Sequence, residues 1–142
     1  MKVTESIYNE MLHTLPTDYE TGGIIGGTDG TVTCAAFDAV RRSESPCCYI
    51  PNVELFNSHI AAWQETGTEF YGLFHSHLGK LELLSNADMQ YAEEILRALS
   101  GVVTSLYFPI VIPNKRVISF VGSICDGRLV VAEDAIELVC DE

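Results

Sequence analysis

Tyr71-Gly-Leu-Phe-His-Ser-His77, running on through Leu78 to Ser85-Asn-Ala-Asp88, is the stretch on which the reading of this chain turns. Phe70 to Phe74 is nearly all apolar, the composition of a central strand covered on both faces. His75 and His77 stand at its C-terminal end. Side chains alternate along a strand, so the two imidazoles point to one side of the sheet. Ser85-x-x-Asp88 then precedes Met89, Ala92, Leu96 and Leu99, which share one helical face. That is a capping box, in which both polar side chains satisfy free backbone N–H groups. The same spacing also brings a carboxylate to the start of a helix, beside two histidines.

Upstream, Thr4 to Leu15 places Ile7, Met11, Leu12 and Leu15 on one helical face, with Thr4 as N-cap and Pro16 as terminator. Glu20 closes a polar turn ahead of a glycine-rich strand, Thr21 to Gly27. Asp29-Gly30 is a hairpin turn into a second strand, Val32 to Val40. The glycines match no phosphate-cradling pattern, and close backbone packing accounts for them. Arg41 to Pro46 reads as a loop and Cys47 to Ile50 as a short strand ended by Pro51. Asn52 caps a helix to about Thr66, burying Val53, Phe56, Ile60 and Trp63, with Gly67 at its end. Downstream, Ser105 to Pro113 reads as a strand whose Pro109 argues for an edge position or a bulge. Asp126-Gly127 joins strands Arg116–Ile124 and Arg128–Ala132. The segment Asp134 to Cys140 fits strand or helix equally. The expectation is a single α/β (α+β) domain over residues 1–142, with helices packed on a mixed central sheet.

Eight Lys and Arg against twenty Asp and Glu give a formal charge of −12. Nucleic-acid binding needs a basic stripe, and none is visible. An acidic face serves solubility, or attracts a basic segment of a protein partner. No apolar run approaches the roughly 18 residues that span a bilayer, and the N-terminus lacks the layout of a signal peptide. The five cysteines are odd in number and show no CxxC spacing. They read as reduced thiols of a cytoplasmic protein.

His75, His77 and Asp88 together offer two imidazole nitrogens and one carboxylate. Catalytic zinc sites use three such ligands and leave one position open. Hydrolysis at such a site needs a base for the attacking water and a donor for the developing oxyanion. Ser85 has a hydroxyl for the second task, and Glu20 is a candidate for the first. His13 and His59 have no ligand-spaced neighbours and read as structural or exposed. Leu81, Leu83 and Leu84 make the loop before Ser85 apolar, either folded onto the core or offered to a partner.

Glu20-Thr-Gly-Gly-Ile-Ile-Gly-Gly27, then His75-Ser-His77, seven residues, and Ser85-Asn-Ala-Asp88 closely resemble the JAMM (MPN-plus) zinc metalloproteases. The resemblance implies the compact JAB/MPN-like fold and one zinc per chain on His75, His77 and Asp88. It implies Glu20 as general base and Ser85 as the residue stabilising the tetrahedral intermediate, with Ser76 facing the core side of the strand. The implied reaction is cleavage of a peptide or isopeptide bond at the C-terminal tail of a ubiquitin-like or sulfur-carrier protein. One departure stands out: the family has proline after the second histidine, and here Leu78 occupies that place. The longer insertions of ubiquitin-specific relatives are also missing. Two other readings share the fold, a non-catalytic scaffold and a zinc hydrolase of small amides. The complete set of motif residues favours an enzyme over a scaffold.

Overall fold

A computed structural model describes residues 1–38, 40, 43–79 and 82–141. In chain order the elements are β1 (Lys2–Thr4), α1 (Glu5–Thr14), β2 (Gly22–Thr28), β3 (Thr31–Phe37), α2 (Val53–Glu65) and β4 (Glu69–Ser76). They continue with α3 (Asn86–Ala98), β5 (Ser105–Tyr107), β6 (Ile110–Ile112), β7 (Arg116–Cys125), β8 (Arg128–Asp134) and β9 (Glu137–Val139). The mixed α/β architecture expected from the sequence is present: among the described residues, three helices lie on one mixed sheet.

Strand β4 lies in the middle of that sheet. It runs antiparallel to β2 on one side and parallel to β5 and β6 on the other. Beyond β2 come β3, β1 and β9; beyond β5 and β6 come β7 and then β8. Helix α1 covers one face, burying Ile7, Met11 and Leu12 against Val3, Ile25, Phe74 and Val111. Helices α2 and α3 cover the other, with Phe56 against Ile24 and Ala36, and Ala92 and Leu96 against Leu106, Ile110 and Phe120. The apolar run of β4 serves both faces: Tyr71 and Phe74 pack with the α1 side, Phe70 and Leu73 with the α2–α3 side. Two successive residues of one face are thus separated by an extra one, because the pairing with β2 slips between Ile25 and Gly26. Gly72, with φ +155°, takes up that slip; a Cβ there would lie 1.9 Å from the Tyr107 carbonyl oxygen. The slip resets the alternation, so Leu73, His75 and His77 all face the α2–α3 side.

Both hairpin turns expected from Asp-Gly pairs occur, with positive φ at Asp29–Gly30 and Asp126–Gly127. Close packing does explain the glycine strand: a side chain at Gly22 would meet the Phe74 carbonyl at 2.1 Å and the His75 Cα at 2.8 Å.

Five expectations change. Cys47 to Ile50 forms no strand; Cys47 and Cys48 are exposed and the segment runs over the surface. Ser105 to Pro113 is two short strands rather than one, and Pro109 is fully buried inside the sheet rather than at its edge. A proline has no N–H for the ladder, so the strand breaks there and resumes at Ile110. The N-terminus contributes a strand before its helix: β1 inserts between β3 and β9, and Thr4 sits at the cap position without a side-chain cap bond. Val53 is 54% exposed, so the buried stripe of α2 begins at Phe56. The open segment near the C-terminus is strand β9. The second strand ends at Phe37, and Ala39, Arg41 and Arg42 of the following stretch lie outside the described residues.

Candidate metal centre

The site forms where β4 ends. His75 N donates to the Pro109 carbonyl at 3.2 Å and His77 N to the Val111 carbonyl at 3.0 Å, while Ser76 N donates to Thr21 O at 2.7 Å on the other side. The strand carrying the two histidines is therefore held from both neighbours up to its last residue. His75 is half-buried and His77 is buried. Their rings meet edge to face, centroids 4.6 Å apart, and their Nε2 atoms are 2.8 Å apart.

Asp88 reaches both from the first turn of α3. Its Oδ2 lies 3.1 Å from His77 Nε2 and its Oδ1 3.2 Å from His75 Nε2. Helix α3 opens with the capping box that the sequence signals: Asp88 N donates to Ser85 Oγ at 3.1 Å and Ser85 N to Asp88 Oδ2 at 2.8 Å. The cap and the cluster are one structure, since the bond from Ser85 N fixes the rotamer that aims Asp88 at the imidazoles. Burial opposes ionisation of Asp88. Hydrogen bonds from His75 and His77 and from the Ser85 amide outweigh it and hold the carboxyl well below the usual carboxylate range.

The three side chains could hold a metal ion: one ligand atom from each lies within 4.8 Å of the others. Ligands of tetrahedral zinc, at about 2.05 Å from the ion, stand about 3.3 Å apart. The observed spacings of 2.8 to 3.2 Å are slightly shorter than that and are also hydrogen-bond distances. The donor set, two nitrogens and one carboxylate, suits zinc.

Glu20 is half-buried in the turn before β2 and accepts a hydrogen bond from Leu78 N at 3.5 Å through Oε1. A cleft of about 460 Å³ is lined by Glu20, His75, His77, Ser85 and Asp88 together, joined by Tyr49 and Phe108. The structure thus brings all five sequence-nominated side chains to one cavity, including Glu20 from more than fifty residues upstream. Sequence reading did not anticipate that Cys47, Cys48 and Tyr49 would wall this cleft. Their assignment to a strand hid it. Ser76 faces away from the imidazoles and is fully buried, as the alternation requires.

The remaining histidines lie elsewhere: His13 pairs with Asn114 at 3.0 Å, and the His59 ring lies tilted beside Trp63, centroids 6.4 Å apart. In the apolar loop, Leu84 packs against the core and Leu83 is 62% exposed; Leu81 lies outside the described residues. Among the described residues no helix is long and apolar enough to cross a membrane.

No protein-family model matches the chain, and no curated protein matches it in sequence. Solved structures do share its architecture. The solution structure of a protein from Desulfitobacterium hafniense is 21% identical, with a TM-score of 0.71, over 99% of this chain and 93% of that one. A protein from Salinibacter ruber is 18% identical, with a TM-score of 0.57, over 96% and 90% of the two chains. At these identities the likeness is one of fold.

Proposed function

We propose that the chain is a JAMM-type zinc metallopeptidase or isopeptidase acting on the C-terminal tail of a ubiquitin-like or sulfur-carrier protein in the cytoplasm. One observation carries the reading: Glu20, His75, His77, Ser85 and Asp88 converge on a single cleft. The five unpaired cysteines agree with a reducing compartment.

A zinc ion held by His75, His77 and Asp88 would supply the Lewis acidity that makes water a nucleophile at neutral pH. Glu20 takes the proton of the attacking water and returns it to the leaving amine, the two halves of general acid–base work. Ser85 donates its hydroxyl to the oxyanion of the scissile carbonyl. Its Oγ also accepts from Asp88 N, which leaves the hydroxyl proton available for that bond.

The test pairs metal content with turnover of ubiquitin-like proteins carrying a C-terminal extension or an isopeptide-linked amine. The purified protein is expected to carry about one zinc per chain, and the double variant His75→Ala, His77→Ala to carry none. Glu20→Gln should keep the zinc and lose about 10²- to 10⁴-fold in kcat. A metal-free but folded wild type, or a fully active Glu20→Gln variant, overturns the assignment. Turnover of small amides with no cleavage of protein tails would replace the substrate class and leave the site intact.

A further inference from the structure

We propose that the strand bearing two of the metal ligands also clamps the general base, with alternate residues of His75–Leu78 divided between the two tasks. The inference rests on the peptidase reading above and extends it to two positioning residues, Ser76 and Leu78. His75 and His77 point to the α3 side. Ser76 points the other way and spans both backbone groups of Thr21, the residue next to Glu20. Its Oγ accepts from Thr21 N at 3.0 Å and donates to Thr21 O at 3.2 Å, while Ser76 N donates to the same carbonyl at 2.7 Å. Thr21 is 2% exposed, and its own hydroxyl donates to the Asp38 carbonyl at 2.6 Å. A residue gripped at its N–H, C=O and side chain has no freedom to slide along the strand. Glu20 therefore enters the cleft from a fixed point.

The second contact comes from Leu78, whose N–H donates to Glu20 Oε1 at 3.5 Å. Glu20 N is itself tied to the Pro46 carbonyl at 2.8 Å. Proline at position 78 would have no N–H to offer. The departure from the family pattern thus exchanges a stiffer exit from the strand for a hydrogen bond to the base. The same four residues place two of the three ligands and the base in one frame, while Asp88 joins them from α3.

The experiment compares Ser76→Ala, Ser76→Thr, Leu78→Pro and Leu78→Ala. Its readouts are zinc content, kcat and KM on a tail substrate, and hydrogen exchange at the Thr21 amide. Ser76→Ala should keep its zinc and KM, lose about ten- to a hundredfold in kcat as the base drifts, and exchange the Thr21 amide faster. Ser76→Thr, which retains the hydroxyl, should recover most of both. Leu78→Pro should fall about tenfold below Leu78→Ala in kcat at equal zinc content. A wild-type kcat in Ser76→Ala overturns the Ser76 arm, as does loss of zinc in parallel with activity, which would make Ser76 a support of the ligands. Equal kcat in the two Leu78 variants overturns the Leu78 arm. If the wild type turns over no substrate, the peptidase reading fails separately, and Thr21 exchange decides the clamp. Faster exchange with zinc retained supports it, and unchanged exchange rejects it.

Discussion

Helices α2 and α3 are each thirteen residues long, and each starts with a side chain that caps its own backbone. At the N-terminus of α2, Asn52 Oδ1 accepts from Leu55 N at 3.1 Å and its carbonyl accepts from Phe56 N at 3.0 Å, both bonds within its own helix start. At α3, the capping box leaves Asp88 with a second use: the oxygen that accepts from Ser85 N also lies 3.1 Å from His77, and the other oxygen lies 3.2 Å from His75. A cap is worth about 1 kcal/mol in either place. The difference is what lies opposite. The first turn of α3 faces the end of the central strand, whereas α2 begins after a surface segment with Val53 open to solvent. A capping motif and a metal ligand are therefore compatible descriptions of the same carboxylate, and position in the fold separates the two helices.

Asp88→Asn breaks this comparison most sharply. Asparagine keeps an oxygen for Ser85 N and so preserves the cap, but it removes the charge that would hold the proposed metal. Zinc affinity should fall by more than the ten- to hundredfold typical of losing a supporting residue, while helix content by circular dichroism stays the same. Unchanged zinc affinity would reduce Asp88 to the role that Asn52 plays.

Acid provides a second probe. The carboxyl of Asp88 is held below its ordinary value in the folded protein. Its contribution to stability is therefore complete above the unfolded carboxylate value, near pH 4, and is lost as pH falls through the lower folded value. In metal-free protein, the drop in denaturation midpoint below about pH 4 should be shallower in Asp88→Asn than in wild type. Parallel curves would mean that the imidazoles do not stabilise the charge.

The smallest effect belongs to α2. Asn52→Ala should cost about 1 kcal/mol in chemical denaturation and leave zinc content untouched. A loss of zinc there would show that the two helix starts are not separable.

Much of the site was legible because its signals are local. His75 and His77 alternate on one strand, and Ser85 and Asp88 are three apart at a helix start; both are periodicities of backbone geometry. The two Asp-Gly turns were legible for the same reason, since both residues adopt positive φ in the tight turn. Pro109 signalled an interruption, which occurs, but a missing N–H argues against a continuous strand without saying where in the sheet the break falls. Here two short strands, β5 and β6, lie in line between β4 and β7. Strand β1 escaped notice because three residues carry too little pattern; pairing on both sides, with β3 and β9, makes it a strand.

The sequence by itself determined which side chains could act and how His75, His77, Ser85 and Asp88 are ordered along their elements. Only the tertiary structure decided that they meet. The slip at Gly72 sets which face the histidines occupy, and the packing of α3 brings Asp88 to within 3.2 Å of them. The pairing of β2 with β4 carries Glu20 to the same cleft, and Ser76 locks that pairing through Thr21. Each of these depends on contacts between residues far apart in the chain, which local periodicity does not encode.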